Sequence, residues 1–221
     1  MLFDLHIHSK YSYDSVSKVD DILKVAKRRG LSGIAITDHE SFDGSLEASA
    51  KAKHWELLVI PGMEVATEHG DVIGLFLIEE IKKREFFEVV NEIRGQGGMV
   101  VLPHPYRTFN TAIPFQIIAR ADVVEGFNAR MPNDLLNRKA KELAAGFKKP
   151  LIGGSDAHFA SEIGNGRTVF NAISLCQEDI KKALIEGTVE LEGDILPFPL
   201  YVLYEFGVGR ALRFIKSLGR T

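Results

Sequence analysis

The segment SKVDDILKVAKRRGLSGIAITDHE, residues 17–40, holds in one piece the unit from which the fold is assembled. Its first part reads as a helix, because Val19, Ile22, Leu23 and Ala26 recur at helical spacing with charged residues between them. Ser17 and Asp20 form a capping-box-like start, and Arg28, Arg29 and Gly30 supply a basic last turn and a stop. The second part, LSGIAI, is a short apolar run suited to a strand buried on both faces, and it ends on Thr37, Asp38 and His39.

Outward from this unit the alternation repeats. Upstream, LFDLHIH (residues 2–8) is a strand that places Leu2, Asp4, His6 and His8 on one face and Phe3, Leu5 and Ile7 on the other. Downstream, SLEASAKAKHW reads as a helix, ELLVIPG and DVIGLFLI as strands, and KKREFFEVVNEIRGQGG as a helix closing on glycine. MVVLPHP, ADVVEGF and PLIGGSDAH are further strands, with helices around residues 113–119 and 133–145 between them. This rhythm predicts an α/β fold with a parallel sheet and covering helices, open or closed as a barrel. No repeat or linker divides residues 1–221, so a single domain is expected. From about residue 188 to 221 the composition turns aromatic and basic, which reads as a C-terminal extension packed on the barrel as an amphipathic helix. A membrane-surface or partner-binding helix is the alternative there.

Composition narrows the function classes. A formal net charge of -3 argues against a broadly basic nucleic-acid surface but leaves room for local arginine in a cleft. The single cysteine, Cys176, excludes an internal disulfide framework and has acidic neighbours that do not activate a thiol. There is no signal-peptide pattern and no apolar run of membrane-spanning length, so a cytoplasmic protein without a membrane partner is expected.

Polar residues collect where the apolar runs end: His6 and His8, Asp38 and His39, Glu64, His104, and Asp156 with His158. In α/β folds the carboxyl ends of parallel strands converge on one rim, so these dispersed residues are expected to meet. Singly, each has a simpler reading: a hydrogen-bonded histidine, a cap at Asp38, a rigid turn at His104 between two prolines, a turn at Asp156 after two glycines. Together they read as a metal site, since buried imidazoles and carboxylates in one cleft are best satisfied by cations. Arg107, Arg130 and Arg167 follow strand-end or loop segments and are candidates for binding phosphate oxygens through paired donors.

The ordered motifs HIHSKYSYD, ITDHE, GMEV, LPHP and GSDAH resemble those of the PHP family, the polymerase and histidinol phosphatase superfamily of metal-dependent phosphoesterases, over residues 1 to about 170. The resemblance implies a distorted (β/α)7 TIM-like barrel with a multinuclear metal site at the C-terminal ends of its strands. It implies two or three divalent ions. His6, His8, Glu64 and Asp156 would hold one, Glu64 would bridge to a second also held by His104, and Asp14, His39 and His158 would hold a third. Where many members carry a histidine after the bridging glutamate, this chain reads DVIG, so Asp71, or His69 from the preceding loop, is expected to substitute. The nitrogen and oxygen donors suit Mn, Zn or Fe.

The expected activity is hydrolysis of a phosphate ester by attack of a metal-bound hydroxide, dependent on Asp156, His158 and Glu64. The expected substrate is a nucleotide, an oligonucleotide end or a small phosphomonoester. Two other classes remain at this stage: an amidohydrolase-like C–N or C–O hydrolase, which commonly bridges its metals with a carboxylated lysine, and a non-catalytic metal-stabilised scaffold or binding module.

Overall fold

The computed structural model describes residues 1–107, 113–171 and 174–197, with isolated positions 203, 207, 210 and 211 beyond. The first unit forms as read: β1 (Leu2–Ile7), α1 (Val19–Arg28) and β2 (Gly33–Ile36) follow in order, and β1 and β2 pair in parallel. Val19, Ile22, Leu23 and Ala26 are the buried face of α1, packed with Ile7, Ile34 and Ile36. The capping box does not form. Lys18 is the N-cap and makes no side-chain cap, while Ser17 Oγ donates instead to the carbonyl of His158 at 3.2 Å.

The chain continues through α2 (Asp43–Trp55), β3 (Leu58–Thr67), β4 (Gly70–Leu75), α3 (Phe86–Gly95), β5 (Met99–Leu102) and α4 (Phe115–Arg120). After these come β6 (Val123–Asn128), α5 (Asp134–Gly146), β7 (Leu151–Gly154), β8 (Gly166–Phe170), α6 (Gln177–Glu186) and β9 (Val189–Gly193). The nine described strands form one sheet in the order β7-β6-β5-β4-β3-β2-β1-β8-β9. It is mixed, which corrects the parallel expectation. β4 runs antiparallel to both β3 and β5, because the turn at residues 67–70 makes a tight hairpin with no helix to return the chain. β8 and β9 add antiparallel strands beyond β1.

The sheet curls until β7 meets β1, giving a nearly closed, distorted TIM-like barrel. Closure has two parts. Near the carboxyl ends, His8 N donates to Ala157 O at 2.9 Å and Asp156 N to His6 O at 2.7 Å. Lower down, Thr168 on β8 meets β7 with its hydroxyl, accepting from Gly153 N at 2.8 Å and donating to Gly153 O at 2.9 Å. Glycine is required along this seam: a Cβ on Gly154 would stand 2.4 Å from that of His6, and one on Gly166 would stand 2.0 Å from the Gly154 carbonyl oxygen.

Inside, Leu5, Ile60, Ile73, Val101, Val123 and Ile152 belong to one buried cluster, and α3 and α4 cover the outer face of β3 to β6. β9 falls within the stretch read as a C-terminal extension. The amphipathic helix expected further on lies outside the described residues. No helix among the described residues is long and apolar enough to cross a membrane.

Candidate metal centre

Six parallel strands present their carboxyl ends to one rim, and β4, running the other way, presents its beginning there. Ala66 and Asp71 are cross-strand partners two residues beyond the Glu64–Ile73 pair, so Asp71 shares a face with Glu64. His6 comes from β1, His8 from the turn after it, His39 from the bridge between β2 and β3, His104 from the turn after β5, and Asp156 and His158 from the arm after β7. His104 and Asp156 hold positive φ angles of 25° and 55°, the conformation that re-aims a side chain at a strand end.

The side chains converge. His6 Nε2 lies 3.0 Å from His8 Nε2, 3.1 Å from Glu64 Oε2 and 3.5 Å from Asp156 Oδ1. His8 Nε2 is 3.2 Å from Glu64 Oε2 and 3.1 Å from Asp156 Oδ1, and His104 Nε2 is 3.0 Å from Glu64 Oε1. On the other side Asp14 Oδ2 lies 3.2 Å from His158 Nε2 and 3.6 Å from His39 Nε2. Four overlapping sets each bring their donor atoms within 4.8 Å of one another: His8, Asp14, His39 and His158; His6, His8 and Glu64; His6, His104 and Asp156; and Glu64, Asp71 and His104. His69 joins none of them; it packs edge-on against Phe86 and lies 3.6 Å from Glu68.

Residues outside the candidate ligand sets hold these groups in place, and the sequence reading gave Glu125, Asp4 and Glu162 no role while reading Asp38 as a cap or support. Glu125, fully enclosed on β6, accepts from His6 Nδ1 at 2.9 Å, from His104 N at 2.8 Å and from Asn128 Nδ2 at 3.0 Å. A carboxylate can only accept, so His6 carries a proton on Nδ1 and presents Nε2 to the cluster. The lone acid within VVEGF was the available signal, since a carboxylate in a buried strand needs a partner. Asp38 accepts from Ser9 N at 2.5 Å and Ser9 Oγ at 2.6 Å, fixing the turn after His8. Asp4, buried beneath His6, accepts from Ser155 N and Gly164 N. Glu162 accepts from His158 N at 2.8 Å and Phe159 N at 3.2 Å and pairs with Arg130, but nothing in its local sequence announces this.

The electrostatics follow from enclosure. Burial works against charge on His6, yet Glu125 and Glu64 outweigh it and raise its pKa to about 10. Burial and the neighbouring His158 hold His8 well below the usual imidazole value. Glu64 is held well below the carboxylate range: burial acts to raise it, and His39, His6 and His104 prevail. Asp14 is likewise lowered against its burial, chiefly by His158.

Divalent cations fit this donor set. Asp156 Oδ1 and His8 Nδ1 are buried and make no hydrogen bond among the described residues. Several lone pairs face one another at hydrogen-bond distance with few protons to share, and a cation satisfies them together.

The three arginines separate. Arg107 reaches the cluster and pairs with Asp156 Oδ2. Arg130 is buried, with its guanidinium on Glu162. Arg167 lies 3.5 Å from Glu192 on the adjacent strand. The structure thus brings a guanidinium to the cluster from Arg107, while Arg130 is committed behind the His158 arm and Arg167 to the β8–β9 pair.

Comparison with known proteins agrees with this arrangement. The PHP domain model matches residues 4–193. An uncharacterised protein of Methanocaldococcus jannaschii is 39% identical over 160 residues, covering 65% of this chain and 94% of its own length. A protein of Syntrophotalea carbinolica named "Probable phosphatase" is 26% identical over 231 residues, covering 86% of this chain and 95% of its own. Among solved structures, a two-domain protein of Bacteroides vulgatus containing a predicted PHP-like metal-dependent phosphoesterase superposes with a TM-score of 0.74 at 20% identity, over 88% of this chain and 65% of that one; at this identity the likeness is one of fold. With the domain model spanning nearly the whole described barrel, the chain belongs to the PHP domain family.

Proposed function

We propose that the protein hydrolyses phosphate esters at a centre of two or three divalent ions. The observation that carries this reading is the sharing of a donor: Glu64 belongs to two adjoining sets, with Oε2 facing His6 and His8 and Oε1 facing His104, so neighbouring ions would be held by a common carboxylate. In this reading His6, His8, Glu64 and Asp156 hold one ion, Glu64, His104 and Asp71 a second, and Asp14, His39 and His158 a third. Mn, Zn and Fe suit the mixed nitrogen and oxygen donors. Bound divalent ions lower the pKa of water towards about 7 and neutralise phosphate oxygens.

The chain's own groups do the rest. Arg107 supplies paired donors to the non-bridging oxygens. Glu125 keeps His6 Nε2 on the cluster, and Glu162 keeps the His158 arm in place. In the overall reaction the oxygen of water joins phosphorus, the bond to the ester oxygen breaks, and the leaving alcohol takes a proton. The substrate class is a phosphorylated small molecule or a short nucleic-acid end, met in the cytoplasm.

The test is metal-stripped protein titrated with Mn against a chromogenic phosphomonoester and a phosphodiester in parallel. Turnover should rise with bound ion and fall to background in Asp156→Ala and His8→Ala. Tight binding of two or more ions without cleavage of either ester would leave a scaffold.

A further inference from the structure

Beside the cluster lies a cavity of about 360 Å³, and His104 and Asp71, which belong to one of the donor sets, are among its lining residues. A cavity this size sits at the small end of the range for small-molecule sites, about 300 to 1,000 Å³. One wall is Leu102, Pro103, Pro105, Ile113 and Pro114. Prolines bring no backbone N–H, and these side chains carry no polar atom. The wall therefore rewards the burial of apolar surface and offers little to a sugar or a peptide.

The charges point the same way. Among the described residues Arg107 is the one guanidinium in the lining, and no lysine accompanies it. Two carboxylates, Asp71 and Glu68, line the same space, and Glu68 is fixed there by accepting the N–H of Phe86 at 3.0 Å. A second phosphate entering this cavity would meet Glu68 and find, besides Arg107, only the imidazole of His69 among these lining residues, which already lies 3.6 Å from Glu68. A nucleic-acid strand asks for a cationic track with stacking platforms, which this lining does not supply.

We propose that this cavity receives the organic part of a phosphomonoester, and that this part is compact, apolar or aromatic, and free of a second phosphate. The proposal rests on the phosphoesterase reading and narrows its substrate class.

The experiment compares three esters of primary alcohols on the Mn-loaded full chain: benzyl phosphate, glycerol 1-phosphate and a 5′-phosphorylated trinucleotide. Similar leaving oxygens make the ranking report the cavity rather than intrinsic reactivity. Benzyl phosphate should exceed both others in kcat/KM by at least about tenfold, mostly through KM, consistent with one buried ring. Ile113→Asp should raise KM for benzyl phosphate by a similar factor with kcat and the number of bound ions unchanged. Equal or better turnover of glycerol 1-phosphate or the trinucleotide overturns the proposal. So does a folded Ile113→Asp variant whose KM stays within about twofold of wild type. Should that variant not fold, the wild-type ranking decides alone. Hydrolysis of none of the three while a chromogenic ester is still cleaved also overturns the proposal, and only failure on the chromogenic esters as well removes the phosphoesterase reading itself.

Discussion

Asp38 holds the turn after His8 through two short bonds from Ser9, and enclosure pushes its pKa up to about 6 from an ordinary value of 3.8. For an acid raised in the folded state, the native protein keeps its proton longer than the unfolded chain. The carboxylate's stability cost therefore grows as pH rises from about 4 and is complete above about 6. Asp38→Asn keeps an acceptor for Ser9 N and lets the amide donate to Ser9 Oγ. Urea denaturation of metal-stripped protein should show the variant gaining on wild type between pH 4 and 7, by up to about 3 kcal/mol. A pH-independent difference would mean that the buried carboxylate is not what titrates. His6, His8, His39, Glu64, His104, Asp156 and His158 were legible because each ends an apolar run, whereas Asp14 and Asp71 do not and came from the family resemblance. The supports of these residues were less legible: Glu125 could be suspected from its buried strand, whereas Glu162 lies well beyond it in a plain SEIG, and its partner Arg130 reads as a common loop arginine until the fold joins them.

Among elements, the arm after β7 shows how a loop is made rigid. Ser15 Oγ lies 2.8 Å from the carbonyls of both His8 and His158, and Glu162 binds two amides of the arm while facing Arg130. Breaking one side of a buried ion pair costs more than removing both, roughly 3–5 kcal/mol, because a lone charge stays enclosed. Arg130→Met should therefore destabilise the protein by about that amount in urea denaturation. Adding Glu162→Gln to it should recover most of the loss, since the side-chain amide carbonyl can still accept from His158 N. Additive losses would show that the pair is not coupled. Helix and strand positions in the first seven strands were readable because apolar spacing decides them. β8, α6 and β9 were not read: GRTVF is short with alternate residues only partly buried, and its place in the sheet depends on pairing with β1, far away in sequence. Strand direction at β4 also escaped, since periodicity reports burial and carries no sign of which way a strand runs.

At the scale of the molecule, a sheet that begins with β1 and reaches β7 through strand-to-strand pairing has still to join its ends. The join near the rim includes two backbone hydrogen bonds, Asp156 N–H to His6 O and His8 N–H to Ala157 O, each flanked by candidate ligands. The barrel's clasp and its chemical centre are thus one piece of backbone. Occupancy of the centre should be written into the breathing of the barrel: the amide hydrogens of His8 and Asp156 should exchange with solvent markedly more slowly in ion-loaded than in stripped protein, while those deep in β2 and β3 change little. Hydrogen exchange followed by mass spectrometry or NMR would read this directly, and equal exchange at the clasp in both states would separate closure from binding. A relative that loses its ligands would then be expected to loosen first along the line where its two ends meet.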